Sequence, residues 1–144
     1  LTRSGGLPAM PLIDTTCAGS MTRIQLKRRA FHQGGLFSYL GTADLREVQE
    51  RIQAGDPLAD SAFRAMIYQV AKEIGAMAAV LSGRVDAVIL TGPMVVEAAV
   101  VHELRSRIDF VAPLTTYPGE DLLRALAEGA FRVLDHTEEL RTYE

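Results

Sequence analysis

The alternation of apolar and polar residues divides the chain into helices separated by glycine-rich turns. Between Pro57 and Leu81 apolar residues recur at helical spacing, which predicts a long helix at the centre of the core. Gly75 lies inside this helix at a cost of about 1 kcal/mol relative to alanine, so we expect a neighbour to pack tightly there. Residues 20–32 and 42–55 also follow a helical pattern, and polar side chains near their N-terminal ends would cap both helices.

Two apolar runs in the second half of the chain have the composition of strands. Residues 85–91 are an almost continuous β-branched and aliphatic run, typical of a strand covered on both faces. A helix is predicted from about Val95 to Arg105, a second strand over residues 109–114, and a final amphipathic helix over 121–134. This order of helices and strands indicates an α/β fold with a parallel pair of strands.

The remaining segments have no such periodicity. Residues 1–19 are rich in Gly, Pro, Ser and Thr and are predicted to be loop, and residues 36–42 are a short strand or a turn. The 144 residues suffice for a single domain, residues 1–144, but two strands are few for a parallel sheet. Together with the start at Leu1, this favours a piece of a longer protein over a chain with a processed terminus.

Composition and charge argue against several classes of function. The formal net charge is −3, and acidic and basic residues are interspersed, so no basic surface is predicted for nucleic acid or for a membrane. The longest apolar run is shorter than the roughly 18 residues of a membrane span. Cys17 is the single cysteine, which rules out an internal disulfide and indicates a cytoplasmic location.

Three stretches resemble the butyrate kinase family, within the superfamily of acetate and sugar kinases and actin-like ATPases. They are GGLFSYLGTADLREVQERIQAGD, AMIYQVAKEIGAMAAVLSGRVDAVILTG and IDFVAPLTTYPGEDLLRALAEGAFRVL. The TRSG at residues 2–5 also resembles a motif of short-chain carboxylate kinases. The resemblance runs from Leu1 to about Asp135 and covers the C-terminal portion of such a protein.

The resemblance implies a fold and a reaction. Family members have two ribonuclease-H-like lobes with the active site between them, so this chain would be a helix-rich part of the second lobe with a small parallel sheet. The reaction would be reversible phosphoryl transfer between ATP and a short-chain carboxylate such as butanoate, with Mg2+. The first lobe and the catalytic acid have no counterpart here, so this segment alone should be inactive.

Two alternatives to an enzyme segment stay open. The chain could be a non-catalytic structural or interaction module derived from the kinase lobe, or it could pair with a separately encoded first half. In each case an incomplete sheet exposes an edge strand, which predicts a homo-oligomer.

The resemblance also assigns roles to individual residues. Arg3 matches the motif arginine that stabilises the transferring phosphoryl group in related acetate kinases, a role suited to a planar guanidinium. Asp44, Leu45 and Arg46 match the region that contacts the nucleoside of ATP. There Asp44 could accept from a ribose hydroxyl and Arg46 could lie against the purine. The alternatives are a solvated terminal side chain for Arg3 and a helix cap for Asp44.

Gly92 matches the first of two glycines in the family's adenosine turn. A glycine lets the backbone approach a ligand, and a helix N-terminus after it offers amide donors. Pro93 stands in place of the second glycine, and proline lacks an N–H and favours extended geometry at the residue before it. We therefore predict weakened ATP binding at this turn. His32, His102 and His136 have no metal-binding spacing, and no metal site is predicted.

Overall fold

The computed structural model describes residues 1–119 and 122–139. Its helices and strands follow one another in the order α1 (Ala9–Cys17), α2 (Arg23–Phe31), α3 (Gly35–Leu40), α4 (Leu45–Gln53), α5 (Pro57–Val80), β1 (Val88–Thr91), α6 (Ala98–Ile108), β2 (Leu114–Tyr117) and α7 (Leu122–Leu134). A 3-10 turn over Pro93–Val96 separates β1 from α6. None of the helices in these two ranges has the length and apolar character needed to cross a membrane.

Side-chain caps define the starts of the three helices that the sequence pattern predicted. Thr22 and Gln25 form a capping box at the start of α2, each side chain accepting from the other residue's backbone N–H. Asp44 Oδ1 accepts from the Arg46 N–H at 2.9 Å and begins α4. Asp56 accepts from two backbone N–H groups and begins α5. The predicted helices over 20–32, 42–55 and from Pro57 are therefore confirmed.

The hydrophobic core lies between α3, α4, the first half of α5, α6 and the start of β2. Its buried members are Leu36, Leu40, Leu45, Val48, Ala59, Ala62, Phe63, Ile67, Val100, Leu104, Ile108 and Leu114. The central position predicted for α5 holds for its first half, whereas Met77 and Val80 in its second half are exposed. The prediction of tight packing at Gly75 is wrong, because a Cβ placed there would meet no atom within 4 Å.

The two strands form the predicted parallel pair. Val88 lies opposite Leu114 and Thr91 opposite Tyr117, and α6 makes the connection between the strands. The side chains of β1 alternate between half-buried and exposed, with Ile89 63% exposed. The expectation that the first strand is covered on both faces is therefore wrong for this chain, because one face of its sheet is exposed.

The first predicted loop contains a helix instead. Pro8 lies just before α1 and Pro11 lies in its first turn, where the backbone N–H groups have no partner within the helix. The hydroxyls of Thr15 and Thr16 donate to the carbonyls of Pro11 and Leu12, both at 2.7 Å. No residue of α1 is buried, and its large apolar side chains, Met10, Leu12 and Ile13, are exposed.

Two further predictions of local structure are wrong. The short strand or turn predicted at 36–42 is the helix α3, whose Leu36 and Leu40 are one turn apart and both enter the core. The second strand covers Leu114–Tyr117 and not residues 109–114, because α6 continues to Ile108 and a turn follows it. In both segments tertiary packing outweighed the local preference of the residues.

Candidate functional site

A cleft of about 430 Å3 lies between the start of α4 and the segment that follows β1. It is lined by Leu1, Ala43, Asp44, Leu45, Arg46, Met94, Val96 and Glu97. Its volume is within the range of roughly 300–1,000 Å3 that small-molecule sites occupy. The cleft brings the predicted nucleoside-binding residues 44–46 together with the segment that follows Gly92, although the two are far apart in the sequence. Gly92 itself is not among the residues that line the cleft.

The start of α4 presents one carboxylate at the cleft. Asp44 is exposed, its backbone N–H donates to Thr42 Oγ1 at 3.1 Å, and its Oδ1 accepts from the Arg46 N–H. The capping role considered for Asp44 is thus confirmed. Among the described residues the cap uses Oδ1 alone, so Oδ2 can accept from another donor. A nucleoside contact by Asp44 stays a prediction that this geometry permits.

The next two residues face in different directions. Leu45 is 6% exposed and packs in the core, so only a small part of it borders the cleft. The Arg46 side chain is 76% exposed, and its Nε lies 3.6 Å from Glu97 Oε1. This ion pair joins α4 to the residue that precedes α6. Glu97 could not be identified from the sequence, because its position opposite Arg46 depends on how α4 and α6 pack.

The turn after β1 has a backbone that suits glycine at position 92. Gly92 is buried, with φ +84° and ψ −170°, a combination that is essentially restricted to glycine. The extended geometry expected before Pro93 is therefore present in ψ, whereas φ is positive. The side chain of Pro93 lies outside the described part of the structure.

The helix that follows this turn begins later than predicted. A 3-10 turn occupies Pro93–Val96, and α6 begins at Ala98 instead of near Val95. Glu97 is the N-cap residue of α6 but makes no side-chain capping hydrogen bond. The free amides at the start of α6 are therefore several residues away from Gly92.

The first four residues are held by the last turn of α2 and by the loop that follows it. The N–H and Oγ of Ser4 both donate to the carbonyl of Ala30, at 2.9 and 3.2 Å, and the Gly34 N–H donates to the carbonyl of Thr2 at 2.8 Å. A Cβ at Gly34 would lie 2.6 Å from Ser4 N. Glycine at position 34 is therefore required by the close approach of the N-terminal segment.

Arg3 lies on this anchored segment. Its side chain is exposed and, within the described residues, makes no hydrogen bond or ion pair. The neighbouring Leu1 lines the cleft, whereas Arg3 does not. The carbonyls of Leu1 and Arg3 would each lie 2.7 Å from a Cβ at Gly35, whose φ is +57°. The contact of these two glycines with the arginine segment could not be read from the sequence, because it joins residues that are about 30 positions apart.

The part of the chain that the structure describes offers no obvious metal site. Over residues 1–119 and 122–139 no three side chains of His, Cys, Asp or Glu come close enough to hold an ion. Cys17 is exposed and unpaired.

Comparison with known proteins extends these observations. The profile described as "Acetokinase family" matches residues 2–115. Probable butyrate kinase 2 of Caldanaerobacter subterraneus subsp. tengcongensis is 44% identical over 141 residues, which are 98% of this chain and 40% of that protein.

Two solved structures share the fold at 20% sequence identity. The acetate kinase of Porphyromonas gingivalis gives a TM-score of 0.80 over 92% of this chain and 40% of its own. A propionate kinase from Francisella tularensis subsp. tularensis gives 0.68 over 80% of this chain and 36% of its own. The chain thus spans about 40% or less of each of these three proteins, and it has the predicted helix-rich α/β fold of part of an actin-like lobe. From the family match over most of its residues, the chain belongs to the acetokinase family.

Proposed function

We propose that this chain is the nucleoside-binding part of a longer short-chain carboxylate kinase, which converts ATP and butanoate to ADP and butanoyl phosphate. The observation that supports this most directly is the shared cleft, in which Asp44 and Arg46 face the segment that follows Gly92. The 44% identity to a protein named as a butyrate kinase favours butanoate over other acids. Such a kinase would work in the cytoplasm, where ATP is available.

The charges around the cleft suit the nucleoside end of ATP. Two carboxylates, Asp44 and Glu97, and one guanidinium, Arg46, are set among apolar side chains. A triphosphate would be repelled by the carboxylates, whereas ribose hydroxyls can donate to them and a purine ring can lie on a guanidinium. The phosphates would then extend out of the cleft.

Arg3 is the residue of this chain that we assign to the phosphoryl group. Its guanidinium has five N–H donors and can meet two phosphate oxygens, which spreads the charge that develops during transfer. Its backbone is anchored while its side chain is exposed, so the guanidinium can reach a ligand held between this chain and the rest of the enzyme.

The described residues do not fit a resident Mg2+, since no cluster of three potential ligands is present among them. We propose that the metal arrives with the triphosphate as MgATP and that any protein ligands for it belong to the rest of the enzyme.

Phosphoryl transfer depends on positioning groups from both sides of the substrate, so we expect the 144-residue chain alone to be inactive. The test is a hydroxamate assay with butanoate and MgATP, run on the intact protein and on this chain. We expect acyl phosphate to form with the intact protein and not with the 144-residue chain. No product from the intact protein would refute the kinase assignment, and product from the isolated chain would refute the need for the remaining residues.

A non-catalytic module is the second candidate, and Pro93 favours it. The proline removes an amide donor from the adenosine turn, and α6 begins too late to supply amides at Gly92. Both features predict weak ATP binding at this turn. Isothermal titration of the intact protein with ATP tests this, and micromolar binding would contradict it.

Exposed apolar side chains favour self-association. Leu123, Leu126, Phe131 and Leu134 on α7 are 60% or more exposed, as is Ile89 on the open face of the sheet. We propose that the protein forms a homo-oligomer that covers part of this surface. Light scattering at micromolar concentration should give at least the mass of a dimer, and a monomeric mass would contradict the proposal.

A further inference from the structure

Glu97 has a carboxylate that its own helix does not use. It is the N-cap residue of α6, yet its side chain makes no capping hydrogen bond. The side chain is only 21% exposed, and among the described residues its ion-pair partner is Arg46, with Oε1 3.6 Å from Nε. A carboxylate that loses much of its hydration needs a compensating partner, so the position of Glu97 is coupled to that of the guanidinium.

Arg46 differs from Glu97 in its freedom of movement. Its side chain is 76% exposed and begins on the first turn of α4. A long, exposed arginine samples many rotamers in water, and holding it in one of them costs entropy. The half-buried Glu97, on the opposite wall of the cleft, supplies a fixed negative charge that favours the rotamers reaching across it.

We propose that Glu97 is a positioning residue for nucleoside binding, which holds the Arg46 guanidinium across the cleft as a wall for the purine ring. This inference rests on the proposed function of the cleft. The ligand class is the purine nucleoside end of a nucleotide, because a flat guanidinium stacks on an aromatic ring and the paired carboxylate keeps the triphosphate away. Glu97 acts through Arg46 and does not take part in phosphoryl transfer.

A purely structural role for Glu97 makes a different prediction. A negative charge next to the start of α6 also interacts favourably with the helix dipole, and removing it would destabilise the protein without any dependence on Arg46. The two roles are separated by combining substitutions at both positions, since residues that act as a pair show non-additive effects.

The experiment uses the intact kinase with butanoate as acceptor and measures KM for ATP and kcat. Glu97→Gln keeps the shape of the side chain and removes its charge. It should raise KM for ATP about two- to fivefold, the range expected for an ion pair with one exposed member, and leave kcat unchanged. Arg46→Ala should also raise KM, and adding Glu97→Gln to it should have no further effect.

Asp60→Asn provides a matched control. Asp60 and Arg64 form a second ion pair, at 2.8 Å, one turn apart on α5, and neither residue lines the nucleoside cleft. Removing that charge should leave KM for ATP unchanged. Glu97→Asp keeps the charge on a shorter side chain, so its KM for ATP should lie between the values of the wild type and of Glu97→Gln.

Three results would overturn the inference: an unchanged KM in Glu97→Gln, an equal effect of Glu97→Gln with and without Arg46, or an equal rise in KM in the Asp60 control. Failure of the proposed function would look different, because the unsubstituted protein would then form no acyl phosphate at all.

Discussion

Replacement of Gly34 by alanine tests whether activity depends on the position of Arg3 and not merely on the overall stability of the fold. Gly34 has an ordinary negative φ, so alanine causes no backbone strain there. Its Cβ, however, would lie 2.6 Å from Ser4 N, about 0.8 Å short of the 3.4 Å at which ordinary contacts begin. Because the obstructing atoms are backbone, the segment that contains Arg3 must move away.

The size of the effect follows from the hydrogen bonds that hold this segment. A shift of about 0.8 Å would stretch the Ser4–Ala30 and Gly34–Thr2 backbone bonds, now 2.9 and 2.8 Å, beyond hydrogen-bonding distance. Each such bond contributes about 0.5–1.5 kcal/mol, so the loss in unfolding free energy is roughly 1–3 kcal/mol. A misplacement of about 1 Å can lower the rate of a positioned reaction on the order of 100-fold, and we expect a loss of kcat of that size.

The assay is hydroxamate detection of butanoyl phosphate by the intact kinase, with urea unfolding measured on the same samples. Gly55→Ala is the control, since Gly55, unlike Gly34, has a positive φ of +85°, has open space around it and lies just beyond the C-terminal end of α4. Left-handed strain of about 1–2 kcal/mol should lower its stability by a similar amount without changing kcat. A kcat for Gly34→Ala within twofold of the wild type would refute the reasoning, as would an equal loss in Gly55→Ala.

Two further predictions concern stability. Gly75→Ala should raise the free energy of unfolding by about 0.5–1 kcal/mol in urea titrations, because the site is helical and open, and a decrease would reveal a neighbour that packs there in the intact protein. The pKa of Asp56 is lowered mainly by its hydrogen bond from the Arg51 guanidinium and, to a smaller extent, by those from the backbone amides at the start of α5. The stability that this carboxylate provides is therefore present above its unfolded pKa of about 3.9, and it is lost as the pH falls through the lower pKa of the folded state. Thermal melts should therefore show a steeper loss of Tm below about pH 4 in the wild type than in Asp56→Asn, and identical profiles would contradict this.

The sequence by itself determined those elements whose stability is local. The N-caps Thr22 and Asp44 and the long apolar stripe that begins at Pro57 identify α2, α4 and α5, because capping and helical periodicity involve residues that are near one another in the chain. The parallel pair of strands follows from the order of the elements. The nucleoside-binding positions 44–46 and 92 came from family resemblance and stay predictions; residues 44–46 line a cleft with the segment that follows Gly92, whereas Gly92 itself does not line it.

Only the tertiary structure decided the features that depend on contacts between distant residues. The helix α3 forms because Leu36 and Leu40 enter a core made by other helices. Gly34 and Gly35 are required because residues 1–4 pass within van der Waals distance of them. Glu97 faces Arg46 because α4 and α6 both pack on α5. Such contacts form when the chain buries its apolar surface. Because the hydrophobic effect is non-directional, local propensity and residue spacing do not specify which distant residues it brings together.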